Sequence, residues 1–376
     1  MKTYGRAAVS EFLDDNIIYR NLKPIDSRLP ALDDFRAEIG PPSGVTPRKT
    51  SSEYAQVVAK ILTAAQESQS PGTPIEHVIF IGDTRLNDST AFANICRAGN
   101  WPGRAFIGAE NESEKSIEIE EIDIGAVMVA NRWIALTDFQ KYLDQQGFGV
   151  NAKTAILLDL DKTTLGARGR NDQVINQARI AAAALTVQDV LGDQFDLERF
   201  QGIYDYFNQV EYHPFTTDNQ DYLVYICLMI CAGLITPHGL MYWIKNKVVE
   251  QIGDLFIKVD RRLVELSPEI QAIHKDVLAQ FQAGNPTPFT AFRRAEFIAT
   301  AARMGQLGPE ISISERLAQE IVITHEVREL MLAWKSQGAL LFGLSDKPDE
   351  ASIPTPEMAA AGYQSIHRIE TSVVGI

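Results

Sequence analysis

Three short apolar runs in this sequence each stop at a group that can do chemistry. HVIFI at 77–81 stops at Gly82-Asp83, with Asp88 close behind; AILL at 155–158 stops at Asp159-Leu160-Asp161; ALLFGL at 339–344 stops at Ser345-Asp346-Lys347. Continuous apolar runs of this length suit strands buried on both faces of a parallel sheet. The carboxyl ends of such strands line one edge, where ligands bind. Asp83, Asp88, Asp159, Asp161 and Ser345 are therefore expected to converge. Carboxylates that close repel one another unless a cation sits between them. An all-oxygen donor set suits a hard ion, and Mg²⁺ with a phosphate-bearing substrate fits best. In Asp159-Leu160-Asp161 both carboxylates can approach one reacting centre from two sides of a loop. One can attack as a nucleophile, while the other gives a proton to the leaving group and later takes one from water. The plainer alternative is an Asp that caps a turn. The four apolar residues directly before the pair, and Thr163 two positions after it, count against that alternative.

The elements that must position these groups read as an α/β pattern. Residues 41–52 (PPSGVTPRKTSS) form a loop ending in a helix start, with Ser51 or Ser52 as the cap. Tyr54, Val57, Val58, Ile61 and Leu62 then repeat at helical spacing. AFANICRAG and LTDFQKYLDQQG read as helices, the latter closed by Gly147, and RAFIG and GAVMVANR as strands. From about Arg170 to about Glu329 helical patterns dominate, including SERLAQEIVITHEVRELMLAWKSQG as one helix. GALLFGLSD returns to the strand pattern, and the tail reads as a helix followed by an edge segment. The expected organisation is an α/β core over 1–164 and 336–376, with a mainly α-helical domain over 165–335.

These segments resemble the haloacid-dehalogenase (HAD) superfamily. AILLDLDKTTL resembles its first motif, an apolar strand followed by DxDxT, with Asp159, Asp161 and Thr163 at the fixed positions. IFIGDTRLND resembles the fourth motif through Gly82, Asp83 and Asp88. ALLFGLSDKP resembles the second through Ser345, and PRKTSSEYAQVVAKIL the third through Lys49 at a helix start. The first motif is specific, the fourth less so, and the second and third carry weight only in combination. Family members run first, second, third, fourth; here the order is third, fourth, first, second. The resemblance thus implies a Rossmann-like three-layer core that is circularly permuted. HRIETSVVGI would be the strand before the Lys motif, and 165–335 a helical cap over the site. Lys162 departs from the family, where Gly is common.

The resemblance also implies roles. Asp159 would attack phosphorus, and Asp161 would act as general acid and then base. Mg²⁺ would be held by Asp159, the main-chain carbonyl of Asp161, Asp83 and, directly or through water, Asp88. Ser345 and Lys49 would bind the phosphoryl group, with Thr163 bracing the loop; Arg48 and Lys347 compete with Lys49 for the cationic role. The implied activity is that of a Mg²⁺-dependent phosphatase or phosphotransferase, working through an aspartyl-phosphate on a small phosphorylated molecule. Asp161 disfavours dehalogenation, which does without it. The alternative is a catalytically inactive HAD-fold binding or scaffold protein.

Composition narrows the setting. The chain of 376 residues is 45% hydrophobic and 22% charged, ordinary for a globular protein, and carries a formal net charge of -14. That charge argues against nucleic acid as a main partner. The first residues lack the apolar stretch of a signal peptide. The longest apolar run, 223–235, is short of the roughly 20 residues of a membrane span. It reads as a buried helix or the surface of a possible homodimer. Three cysteines, Cys96, Cys227 and Cys231, read as buried thiols in a reducing, cytoplasmic setting. The histidines show no metal-ligand spacing. The pairs Arg261-Arg262 and Arg293-Arg294 read as solvated faces ahead of substrate contacts.

Overall fold

The three apolar runs become the middle of a seven-stranded sheet. The computed structural model describes residues 1–40, 45–111 and 113–376, so 41–44 of the expected loop lie outside the described residues. The strands are β1 (Lys2–Ala7), β2 (Ile17–Ile18), β3 (His77–Gly82), β4 (Gly103–Gly108), β5 (Ile117–Ile122), β6 (Gly125–Ala130), β7 (Thr154–Asp159), β8 (Ile323–Thr324), β9 (Leu340–Leu344) and β10 (Thr371–Gly375). The larger sheet has the order β2-β9-β7-β3-β4-β6-β5. Its neighbours are parallel except for β5, which runs antiparallel to β6.

The residues explain the arrangement. All of β7 and β9 is buried, as is β3 beyond His77, so these strands lie in the interior of the sheet. On one face, Phe80, Leu157, Phe342 and Val78 pack against Tyr54, Val58, Ile61 and Leu62 of the Ser52–Gln69 helix and Phe92 of the Arg85–Gly99 helix. Ser51 caps the first of these, accepting from the Tyr54 backbone N–H at 3.2 Å. On the other face, Phe106 of β4 meets Phe139 of the Leu136–Gln145 helix at a ring separation of 5.6 Å. β5, with its IEIEEI sequence, is an exposed edge.

Register levels the strand ends. Leu158 pairs with Ile81 and Asp159 with Leu344. Asp83 and Ser345 therefore lie just beyond the strands that flank Asp159. The path from β3 to β4 runs towards one edge of the sheet, and that from β7 to β9 towards the other. The reversal falls between β3 and β7, the place where open α/β sheets bind ligands.

Two sequence expectations are corrected. HRIETSVVGI does not join this sheet: β10 lies in a separate three-stranded sheet, order β1-β10-β8, antiparallel to β1 and parallel to β8. The strand beside β9 is instead β2, two residues long. SERLAQEIVITHEVRELMLAWKSQG is not one helix but Ile313–Gln319, β8 and His325–Ser336. Its buried, β-branched Val322-Ile323-Thr324 segment pairs with β10 and bridges to Leu165.

The chain divides into two units, Met1–Gln177 with Thr300–Ile376, and Ala178–Ala299. Residues 165–177 and 300–335 thus belong with the sheet rather than with the insertion. The boundaries fall within the Asp172–Leu191 and Thr290–Ala301 helices. The second unit is helical around its own core. The apolar run at 223–235 is part of that core, with Tyr222 to Ile230 buried. Arg293 is not a solvated face: it is 4% exposed and pairs with Asp221 and Glu296. Cys96 and Cys227 are buried, and burial pushes both thiols up. No described helix is long and apolar enough to cross a membrane.

Candidate active site

Asp83, Asp88 and Asp159 each present a carboxylate oxygen, and the three oxygens lie within 4.8 Å of one another. Asp159 ends β7, Asp83 follows β3, and Asp88 lies in the first turn of the Arg85–Gly99 helix. The Asp88 carboxylate folds back over the end of β3. Its Oδ2 accepts from the backbone N–H groups of Asp83 at 3.0 Å and Thr84 at 2.8 Å. This requires glycine at position 82, because a Cβ there would lie 2.6 Å from Asp88 Oδ2.

Lys49, just ahead of the Ser52–Gln69 helix, joins the cluster. Its Nζ donates to Asp159 Oδ1 at 2.5 Å and to Asp88 Oδ1 at 2.7 Å, and the lysine side chain is 4% exposed. Thr163 donates its hydroxyl to Asp159 Oδ2 at 3.2 Å, and Thr164 donates to the Asp159 carbonyl at 2.8 Å. The turn between them needs a left-handed backbone at Lys162, with φ of 67°. That is the conformation for which Gly is the unstrained choice.

Electrostatics follow from burial and crowding. Burial, with the charges of Asp88 and Asp83, pushes the Asp159 carboxyl well above the usual range, against the pull of Lys49. Burial and the Asp88 charge push Asp83 up to about 6, opposed by Arg168. Burial would raise Asp88 too, but Lys49 and the two backbone N–H groups outweigh it and hold that carboxyl below its ordinary value. Asp88 thus organises the cluster, while Asp83 and Asp159 each keep one oxygen engaged only by a hydroxyl.

The other expected residues sit around this centre. The Asp161 carboxylate is not one of the three clustered groups. It is half-buried, makes no hydrogen bond or ion pair with any described group, and is close enough to Tyr19 to help burial raise that phenol. Ser345 is buried, and its Oγ accepts from the Lys347 N–H at 3.0 Å, leaving its proton uncommitted. Lys347 bonds Thr300 rather than any carboxylate, so between these two lysines it is Lys49 that holds the cluster.

Several participants carried no motif. Arg168 Nε meets Asp83 Oδ2 at 2.5 Å, while its own carbonyl accepts from the Glu110 N–H and the Trp133 indole. Arg170, buried, ties Glu110 beyond β4 to Glu326 at 2.8 and 2.9 Å. Thr324 of β8 closes the loop from above, donating its hydroxyl to the Thr163 carbonyl at 2.6 Å. The signal that could have exposed the arginines is their position, two basic residues in the loop that follows the acidic end of β7.

Three convergent oxygen donors from Asp83, Asp88 and Asp159, on a strand edge otherwise supplied with cations, could hold a metal ion that takes oxygen ligands. No family model, curated protein or solved structure matches this chain. The reading of the site therefore rests on its own geometry.

Proposed function

We propose that this chain is a Mg²⁺-dependent phosphatase or phosphotransferase with a circularly permuted HAD-like core, acting on a small phosphorylated molecule. The observation that carries the proposal is the Asp159 carboxylate. It ends β7, an interior strand, is fixed by Lys49 and Thr163, and faces Asp83 across the reversal point of the sheet.

Permutation is supported by the strand order. Numbered from β7 through β9 and on to β2, β3, β4 and β6, the sheet reads 3-2-1-4-5-6, the doubly wound order. The path between β9 and β2 is instead interrupted by β10 and β1, which pair with each other. The helical unit 178–299 lies between the first and second motif segments, where the resemblance calls for a cap.

In this reading an Asp159 oxygen attacks the phosphorus, and the bond from phosphorus to the ester oxygen breaks. Asp161, free of competing partners, gives its proton to the departing oxygen. Water, or an acceptor hydroxyl, then attacks the phosphorus of the aspartyl-phosphate, the bond from phosphorus to the Asp159 oxygen breaks to return the carboxylate and release phosphate or the new ester, and Asp161 takes the attacking group's proton. Ser345 donates its uncommitted proton to a phosphoryl oxygen, and Lys49 holds Asp159 in line. A Mg²⁺ held by Asp159, Asp83 and the Asp161 carbonyl, with Asp88 behind them, would supply the positive charge that lets an anion attack an anion.

The test is phosphate release from p-nitrophenyl phosphate and a panel of phosphate esters, with and without Mg²⁺, beside Asp159→Asn. Mg²⁺-dependent release that the variant abolishes is the expected result. A wild-type protein inert on every ester that also binds no Mg²⁺ by calorimetry would leave the fold as a binding scaffold.

A further inference from the structure

Several of the described cations at this edge of the sheet are spent on carboxylates. Lys49 serves Asp88 and Asp159, Arg168 serves Asp83, and Arg170 serves Glu110 and Glu326. Lys347 is 6% exposed and forms no ion pair with any described carboxylate; its Nζ donates to the Thr300 hydroxyl at 3.2 Å. A buried ammonium whose hydrogen-bond partner is a neutral hydroxyl is a costly arrangement. It becomes favourable when an anion completes it.

The backbone holds this lysine in place. Its N–H donates to Ser345 Oγ, and its carbonyl accepts from the Arg20 N–H at 3.1 Å. Its contacts also set it apart from Lys49. A lysine serving the transferred phosphoryl group would lie within reach of Asp159 or Asp161, as Lys49 lies on Asp159. Lys347 pairs with neither and reaches to Thr300 instead.

We propose that Lys347, with the Thr300 hydroxyl, is the subsite for a second oxyanion of the substrate. On the proposed function above, the substrate class is then a small phosphate ester that carries a carboxylate or a further phosphate beside the one transferred. A guanidinium or ammonium placed off the reaction centre orients such a molecule and lowers its KM rather than raising kcat.

The experiment is a calorimetric titration of the Asp159→Asn protein with Mg²⁺ present. The probes are ethyl phosphate, phosphoglycolate and propanediol bisphosphate, titrated with and without Lys347→Met. At least one doubly anionic probe should bind about tenfold more tightly than ethyl phosphate. The better of the two identifies carboxylate or phosphate as the second anion. Lys347→Met should remove that advantage and change ethyl phosphate little. Its melting temperature should match or exceed that of its parent, because an unpaired buried charge is gone. Should it fail to fold, Thr300→Val in the same titration is expected to cut the advantage severalfold. Equal binding of all three probes to the parent, or equal losses for all three in the variant, overturns the subsite. Discrimination in a protein that hydrolyses no ester would sink the proposed activity and leave the subsite standing. Hydrolysis without discrimination would do the reverse.

Discussion

Replacing Lys49 with methionine probes the centre of the site most directly. Methionine keeps most of the stem and removes the ammonium that touches Asp159 and Asp88 at 2.5 and 2.7 Å. Removing one partner of a buried ion pair costs about 3–5 kcal/mol, because the other charge is left without compensation. Here one lysine serves two carboxylates, so a loss near the upper figure, about 5 kcal/mol, is expected at neutral pH. That is a large share of the roughly 5–15 kcal/mol that holds an ordinary domain together.

The pH dependence has a definite sign. Burial already pushes the Asp159 carboxyl well above its ordinary value with Lys49 in place; without the lysine it rises further. A carboxyl whose folded pKa is raised binds its proton more readily folded than unfolded. Stability then falls as pH climbs from the unfolded value through the folded one. The deficit of Lys49→Met should therefore be largest at neutral pH and above, and should shrink on acidification. Urea unfolding of both proteins at pH 5 and pH 8, with and without Mg²⁺, measures it. Mg²⁺ at 100 times its Kd should return about 2.7 kcal/mol to the variant. A variant within about 1 kcal/mol of the wild type at both pH values would refute the reasoning, since that is the range of ordinary substitutions.

Gly82→Ala should cost about 1–3 kcal/mol in the same unfolding assay, because its Cβ would displace an ordered carboxylate. The contact is at 2.6 Å from Asp88 Oδ2, so Mg²⁺ affinity should fall as well; an unchanged affinity would mean that Asp88 does not organise the cluster. Arg168→Gln removes the cation that opposes the rise of Asp83 to about 6. The acid limb of the pH–rate profile should then move to higher pH by about one unit, and an unmoved limb would exclude Asp83 from the ionised set.

What could be seen in the sequence was what leaves a pattern within a few residues. The ends of β3, β7 and β9 were visible because each apolar run is interrupted by an acid or a serine at the position where the strand leaves the sheet. β2 could not be seen, since two residues have no period; its place is set by hydrogen bonds from the Gly343 and Ser345 N–H groups to the carbonyls of Asn16 and Ile18. The tail was mistaken for its replacement because TSVVG is as good a strand as any, and nothing local says which sheet it joins. β8 was hidden in a helical pattern because two residues of pairing are decided by β10 and Leu165, both distant in sequence. The bracing residues act through specific contacts, Thr164 to the Asp159 carbonyl, Arg168 to Asp83 beyond β3, and Arg170 to Glu110 beyond β4 and to the His325–Ser336 helix, which no spacing rule reports.

Lys162 shows how a departure from a pattern can still carry information. A lysine at φ of 67° is strained where glycine would not be, at a cost of about 1–2 kcal/mol. The strain is tolerated because the turn is held on every side: the Lys162 N–H donates to the Leu165 carbonyl and its own carbonyl accepts from the Arg168 N–H, both at 2.7 Å. The same over-determination fixes the loop that carries Asp161 and leads directly to Arg168. On the proposed function, the cluster also gives a divalent ion a part in the chemistry. As the proposed nucleophile Asp159 would attack as a carboxylate, yet burial and the neighbouring charges of Asp88 and Asp83 favour its protonated form. Lys49 opposes that tendency without overcoming it. A second positive charge among the same oxygens would oppose that rise, so on this reading a metal would help to ionise the group that attacks.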